Sequence, residues 1–386
     1  MKTRKFQPVL IFFMTAVVVA LAFISSAALA QSNDEVVSSG IISRLAGQET
    51  VAYWTGERMR NAVPMPFPKV SKAAGLRAPG PTLEAPSGPM VIANSGRPGD
   101  VPREQRIEVT EGLTEPLFGT YPFSFTRYRL FPDRNDMLMY ITFPYKETGK
   151  LFFTIPTQGD FVCSASSVNS ANNSVVWTAG HCVYSPDLKV YHTNFVFVPG
   201  RFIGINPFGT WTPKTVMTTV GWTSGLLEYD HGALVMNLGG VAPAAKIGDR
   251  IGFLGFLANA SRQQHWHVHG YPGAPRDLGT TPPGAQFDGE HHEICAAAWA
   301  TDDQPTGTPG VDPPTIGIGC DQTGGTSGGP WVIDFSGVGE STNLLNGNNS
   351  YRYTGPNPPE NLKMFSPYFG NGAVHLRNEA QAVPVP

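Results

Sequence analysis

Three short stretches of this 386-residue chain carry residue types suited to nucleophilic chemistry. Trp177-Thr178-Ala179-Gly180-His181-Cys182 offers an imidazole. Tyr229-Asp230-His231-Gly232-Ala233-Leu234 offers a carboxylate. Gly324-Gly325-Thr326-Ser327-Gly328-Gly329-Pro330 offers a hydroxyl in a glycine-rich turn. A serine hydroxyl is a weak nucleophile at neutral pH and needs an adjacent base. An imidazole can take that proton and later return it to a leaving amine. A buried carboxylate fixes the imidazole tautomer and stabilises the imidazolium. Glycines beside Ser327 allow a sharp turn and bring amide N–H groups toward a developing oxyanion. His181, Asp230 and Ser327 are the expected catalytic set, with the Gly325 and Ser327 amides as oxyanion donors.

Such groups need a rigid frame. Charged residues make up only 15% of the chain, while Gly (43) and Pro (35) are abundant, a mix that favours short strands and many turns. Lys150–Ile155, Ser174–Thr178, Asn194–Val198, Gly232–Met236 and Arg250–Leu254 read as successive strands. The fold class expected is all-β, a barrel or sandwich. A net charge of −3 offers no basic field for nucleic acid.

The TAGHC and GTSGGP stretches resemble the histidine and serine signatures of the trypsin/chymotrypsin-like serine peptidases. The chain order His…Asp…Ser is also that family's. The resemblance runs from about Gly149 to Tyr353. It is nearest to the bacterial glutamyl endopeptidase-like branch, through the Thr323–Gly328 loop and the Gly270-Tyr271-Pro272 turn. It implies two six-stranded antiparallel β-barrels with the catalytic set at their interface, and an endopeptidase that needs no cofactor or metal and acts on protein or peptide substrates as a monomer. It also implies a Cys163–Cys182 disulfide bracing the histidine loop. An esterase with the same triad, or an inactive binding protein on the same fold, are the competing readings.

The specificity pocket departs from the branch. Asp321 stands six positions before Ser327, where trypsin-like enzymes hold an acidic residue that meets a basic substrate side chain. This gives an expectation of a basic P1 preference. Gln322, Asn349, Ser350 and Arg352 are the other pocket positions implied. Asn349 falls where glutamyl endopeptidases have histidine, so glutamyl specificity is not carried over. Thr326 replaces the aspartate that pairs with a new N-terminus in trypsin-like zymogens. A pro-segment here is therefore expected to cover the cleft or aid folding instead.

Residues 1–30 read as an export signal. Lys2, Arg4 and Lys5 precede an apolar run from Val9 to Ile24, and Ala28-Leu29-Ala30 offers a cleavage site. The protein is thus expected outside the cell, without stable membrane association. Residues 31–118 are rich in Pro and Gly and read as an unpacked pro-segment or linker, with 119–386 as the peptidase domain. Export favours disulfides among Cys163, Cys182, Cys295 and Cys320. Three pairings are open, and pairing of nearest neighbours is favoured. His265, His267 and His269 alternate on one strand face, which would suit a metal, but a solvent-facing strand is the preferred reading. A closing helix, if present, must be short. Asn172, Asn259 and Asn348 sit in glycosylation sequons.

Overall fold

A computed structural model describes residues 32–68, 70, 88–107, 124–130, 137–274, 287–337, 342–353 and 362–386. The expected export signal lies outside these residues. Among the described residues no helix is long and apolar enough to cross a membrane.

Two curled sheets make the frame. The first has eight strands. Its inner set is Thr148–Ile155, Gly159–Val168, Val175–Thr178, Thr193–Pro199, Pro213–Thr219 and Gly232–Met236. Along Thr148–Ile155, Leu151, Phe153 and Ile155 point into the barrel with Val176, Phe197, Trp211 and Leu234. Phe152 points to the opposite face, as the two-residue period of a strand requires. It is buried there too, under Trp54, Met59 and Ala62. These cover residues come from the helices Arg44–Tyr53 and Gly56–Asn61 and their C-terminal ends, the helices being capped by Ser43 and Thr55 hydroxyls.

The second sheet has ten strands. Gly255–Ala258, His265–Gly270, Glu293–Asp303, Thr315–Gly319, Pro330–Ile333 and Leu344–Asn348 enclose Trp266, Val268, Ile318 and Trp331. Among the described strands pairing is antiparallel except for Gly255–Ala258 on Leu344–Asn348 and Val63–Pro64 on Gly159–Val168. A third cluster joins the sheets through Trp177, Phe256, Val332 and Phe369. It includes Leu376 from the closing helix Asn371–Ala382, which runs twelve residues.

One expectation is corrected. The described parts of 31–118 are packed, not an unpacked linker. Val36–Ser38 pairs with Pro213–Thr219, and Val63–Pro64 with Gly159–Val168. Met90–Ala93 lies between Gly255–Ala258 and Glu104–Ile107. Beyond that stretch, Thr126–Arg129 adds to Glu293–Asp303. Proline is tolerated in Val63–Pro64 because a strand paired on one side leaves some N–H groups unpaired.

Both disulfides join nearest neighbours, Cys163–Cys182 and Cys295–Cys320. The loops they close are of a length for which a cross-link is worth about 3 kcal/mol.

Candidate active site

The site forms where the two sheets meet. His181 sits in a single 3₁₀ turn, Gly180–Cys182, directly after the Val175–Thr178 strand. The disulfide ties this turn to the Gly159–Val168 strand. Gly180 is required: a Cβ there would lie 2.6 Å from the Trp222 ring and 3.0 Å from Asp230 Oδ1. Asp230 ends the turn Leu227–Tyr229 and is wholly buried.

Asp230 holds His181 at two points. Its Oδ1 accepts the His181 backbone N–H at 2.7 Å, and its Oδ2 lies 2.7 Å from His181 Nδ1. An ionised carboxylate only accepts, so Nδ1 carries the proton and Nε2 presents a lone pair. Ser350 Oγ donates to the same Oδ2 at 2.6 Å, and Asn348 Nδ2 donates to the Asp230 carbonyl at 3.1 Å. Trp222 packs edge-on against the imidazole.

Ser327 lies in the turn between Thr323 and Pro330. Gly325 and Gly328 adopt φ of +93° and +76°, which glycine takes without strain. A Cβ at Gly328 would meet Thr178 Oγ1 at 2.0 Å. The turn is pinned from the first sheet by Ser164. Its N–H donates to the Ser327 carbonyl at 2.8 Å, and its Oγ donates to the Gly325 carbonyl at 3.0 Å. The same Oγ accepts from Tyr271 N at 2.9 Å, joining the Gly-Tyr-Pro turn to the serine turn. His181 Nε2 and Ser327 Oγ are both buried, and neither has a hydrogen-bond partner within the protein.

Thr326 stands in a neutral network. Its Oγ1 donates to Gln322 Oε1 and accepts from Asn349 Nδ2. Gln322 Nε2 donates to the Val268 and Glu293 carbonyls. Asn349 Oδ1 accepts from Trp331 Nε1 at 2.8 Å. These side chains brace the serine turn without an ion pair.

Gln322 and Asn349 are therefore placed as struts, and Ser350 as the second partner of Asp230, where pocket roles had been expected. Asp321 lies buried, but Arg127 Nη1 meets its carboxylate at 3.1 Å. Burial raises the Asp321 carboxyl above its ordinary range, while Arg127 opposes that rise. In this arrangement the Asp321 carboxylate already meets a guanidinium of the chain itself. Arg352 Nη1 donates to the Gln322 carbonyl at 2.8 Å. Ser164 and the Asp230-binding role of Ser350 carried no sequence signal.

The alternating histidines do share one face of His265–Gly270, but that face turns inward toward Gly270. His265 is exposed, while His269 is buried 2.9 Å from His292. Burial lowers His269 and brings His292 down to about 3, so both stay neutral. Among the described residues, the group whose ligand atoms lie within 4.8 Å of one another is Cys163, His181 and Cys182. Two of those three donors are spent in a disulfide and offer no thiolate. The sequon asparagines are buried and bonded. Asn172 Nδ2, for example, donates to the Ala380 and Val383 carbonyls.

No protein-family model matches the chain. A solved structure, protease Anisep from Arthrobacter nicotinovorans, is 35% identical with a TM-score of 0.50. The match covers 62% of this chain and 97% of that one. A glutamyl endopeptidase of Bacillus licheniformis is 30% identical over 25% of this chain and 29% of its own length. A protein of Bacillus subtilis named extracellular metalloprotease is 33% identical over 31% of this chain and 36% of its own length. The chain thus spans about a third of the length of these two curated relatives. Two curled β-sheets meeting at a His–Asp pair and a glycine-framed serine define a serine-protease fold. The chain belongs to the trypsin/chymotrypsin-like serine proteases.

Proposed function

We propose that this chain is an exported serine endopeptidase that cleaves protein or peptide substrates through an acyl-enzyme on Ser327. The observation that carries the reading is the grip of Asp230 on both the backbone N–H and Nδ1 of His181. It leaves Nε2 as the free basic atom, buried like the unpartnered Ser327 Oγ. In the first step Ser327 Oγ attacks the substrate carbonyl carbon and its proton passes to Nε2. The imidazolium formed is stabilised by Asp230, and Nε2 then protonates the departing amine. Water repeats the sequence on the acyl ester and regenerates Ser327.

The Gly325 and Ser327 amides are assigned to the oxyanion, each such donor being worth roughly 3 kcal/mol in the transition state. The neutral Thr326–Gln322–Asn349 network supports a serine turn that needs no inserted N-terminus to assemble. Export rests on the N-terminal signal pattern, and the two disulfides accord with it.

A fluorophosphonate probe tests this reading. Labelling of the processed protein, abolished by Ser327→Ala, is the expected result, with casein hydrolysis lost in parallel. Labelling without casein cleavage, but with ester turnover, would make it an esterase. A folded, processed protein that takes no probe would make it a binding protein on this fold.

A further inference from the structure

We propose that residues 62–68 are a built-in inhibitor that lies across the active-site cleft and places the Met65 carbonyl on the oxyanion-binding amide of Gly325. The inference rests on the serine-peptidase reading above, whose site it regulates.

The contacts run backbone to backbone. Val63 and Pro64 pair in parallel with Phe161 and Val162, next to the bracing Cys163. The Met65 N–H donates to the Val162 carbonyl at 2.9 Å, and the Gly325 N–H donates to the Met65 carbonyl at 3.0 Å. That amide is one of the two assigned to the substrate's oxyanion. The close approach depends on missing side chains. A Cβ on Gly324 would lie 2.9 Å from the Met65 oxygen, and one on Gly273 would lie 2.9 Å from Pro64 Cγ.

Side chains then spread along the cleft. Met65 packs against the cluster that holds Cys163 and Cys182. Phe67 packs against the one that holds Cys295, Cys320 and Trp331. Val70 packs against the cluster that holds Trp222, Leu227 and Tyr351, and Trp222 is the ring on His181. The segment thus passes from the first sheet to the second beside the serine turn. Ser327 is 0% exposed and His181 4%.

The sequence Val63-Pro64-Met65-Pro66-Phe67-Pro68 suits an occupant that resists cleavage. Proline at alternate positions fixes φ before binding, so little chain entropy is lost on docking. The prolines lack N–H groups, and the N–H of Met65 is the one used on Val162. The Met65–Pro66 bond is a tertiary amide, whose ring nitrogen is a poorer fit to a site built to release a primary amine.

Fluorophosphonate labelling of Ser327 in the full chain tests the proposal. Met65→Asp places a charge against the apolar cluster, and Phe67→Ser weakens the same segment from its other end. Each is expected to label at least tenfold faster than the unaltered chain. A synthetic peptide of residues 60–70 is expected to slow the faster variant competitively. An unaltered chain that labels as fast as either folded variant, or a peptide without effect, overturns the proposal. If no form labels, the peptidase reading fails instead. Amide exchange at Gly325 then decides on the segment: faster exchange in the variants keeps it as the occupant of the cleft, and equal protection removes it.

Discussion

Asp230 divides its acceptor capacity. One oxygen takes the His181 backbone N–H, and the other serves both the imidazole Nδ1–H and the Ser350 hydroxyl. Hydrogen bonds to charged groups are worth about 1.5–3 kcal/mol, so the loss of one from this carboxylate should be felt in turnover. Ser350→Ala is expected to lower kcat about tenfold with KM little changed, measured on a small amide substrate, because Ser350 acts on Asp230 and not on substrate. A KM effect alone would return Ser350 to the pocket role read from the sequence. Glu147 presents a different case. It is wholly buried, and burial pushes its carboxyl up to about 8 from 4.5, with Lys146 offsetting only part. The unfolded chain therefore gives up this proton near pH 4.5, while the folded chain keeps it to about 8. The folded state binds the extra proton, so this group takes stability away as pH rises through that window. Glu147→Gln is expected to raise Tm at pH 8 by more than at pH 4.5, in thermal melts at both values. An equal shift at both would show that Glu147 does not titrate in this way.

Much of the site was legible because its chemistry is local. TAGHC, the Asp230 turn and GTSGGP each set one group on one turn, and their glycines answer contacts that the structure shows at Gly180 and Gly328. Struts such as Ser164, Gln322 and Asn349 were not legible in those roles, since each acts through a fold-level approach of distant segments. The extension was misread for a related reason. Its prolines break the period-2 pattern by which inner strands are recognised, yet Val36–Ser38 and Val63–Pro64 need only an edge. One signal was present in the partner strands. Leu151-Phe152-Phe153 and Phe195-Val196-Phe197-Val198 are continuous apolar runs, and a strand of that kind is covered on both faces. The cover is Trp54, Met59 and Ala62.

The whole molecule divides its N-terminal extension between two loyalties. Residues 32–64 pair with and cover the first sheet, whereas 88–107 belong to the second sheet. Val91 and Ala93 lie in the cluster between the sheets, at 2% and 0% exposure. Glu104 holds Arg377 of the closing helix, its Oε2 accepting from Nη1 at 2.6 Å, while Nε and Nη2 of the same guanidinium are bound by Asn169. Arg377 is buried and Glu104 exposed, so removing Glu104 takes one charge-assisted hydrogen bond from a guanidinium that Asn169 still holds, at a cost of about 1.5 kcal/mol. A peptidase domain begun at Gly119 would lose that partner and an inner strand together. The mature protein is therefore expected to start before Met90, with processing falling between Val70 and Gly88. N-terminal sequencing of the secreted, active protein checks this directly, and a first residue beyond Ile107 would refute it. Glu104→Ala isolates the energetic step: urea unfolding is expected to show a loss of about 1.5 kcal/mol, and a loss within about 0.5 kcal/mol, the range of ordinary surface substitutions, would mean that the strand is dispensable and the domain can begin later.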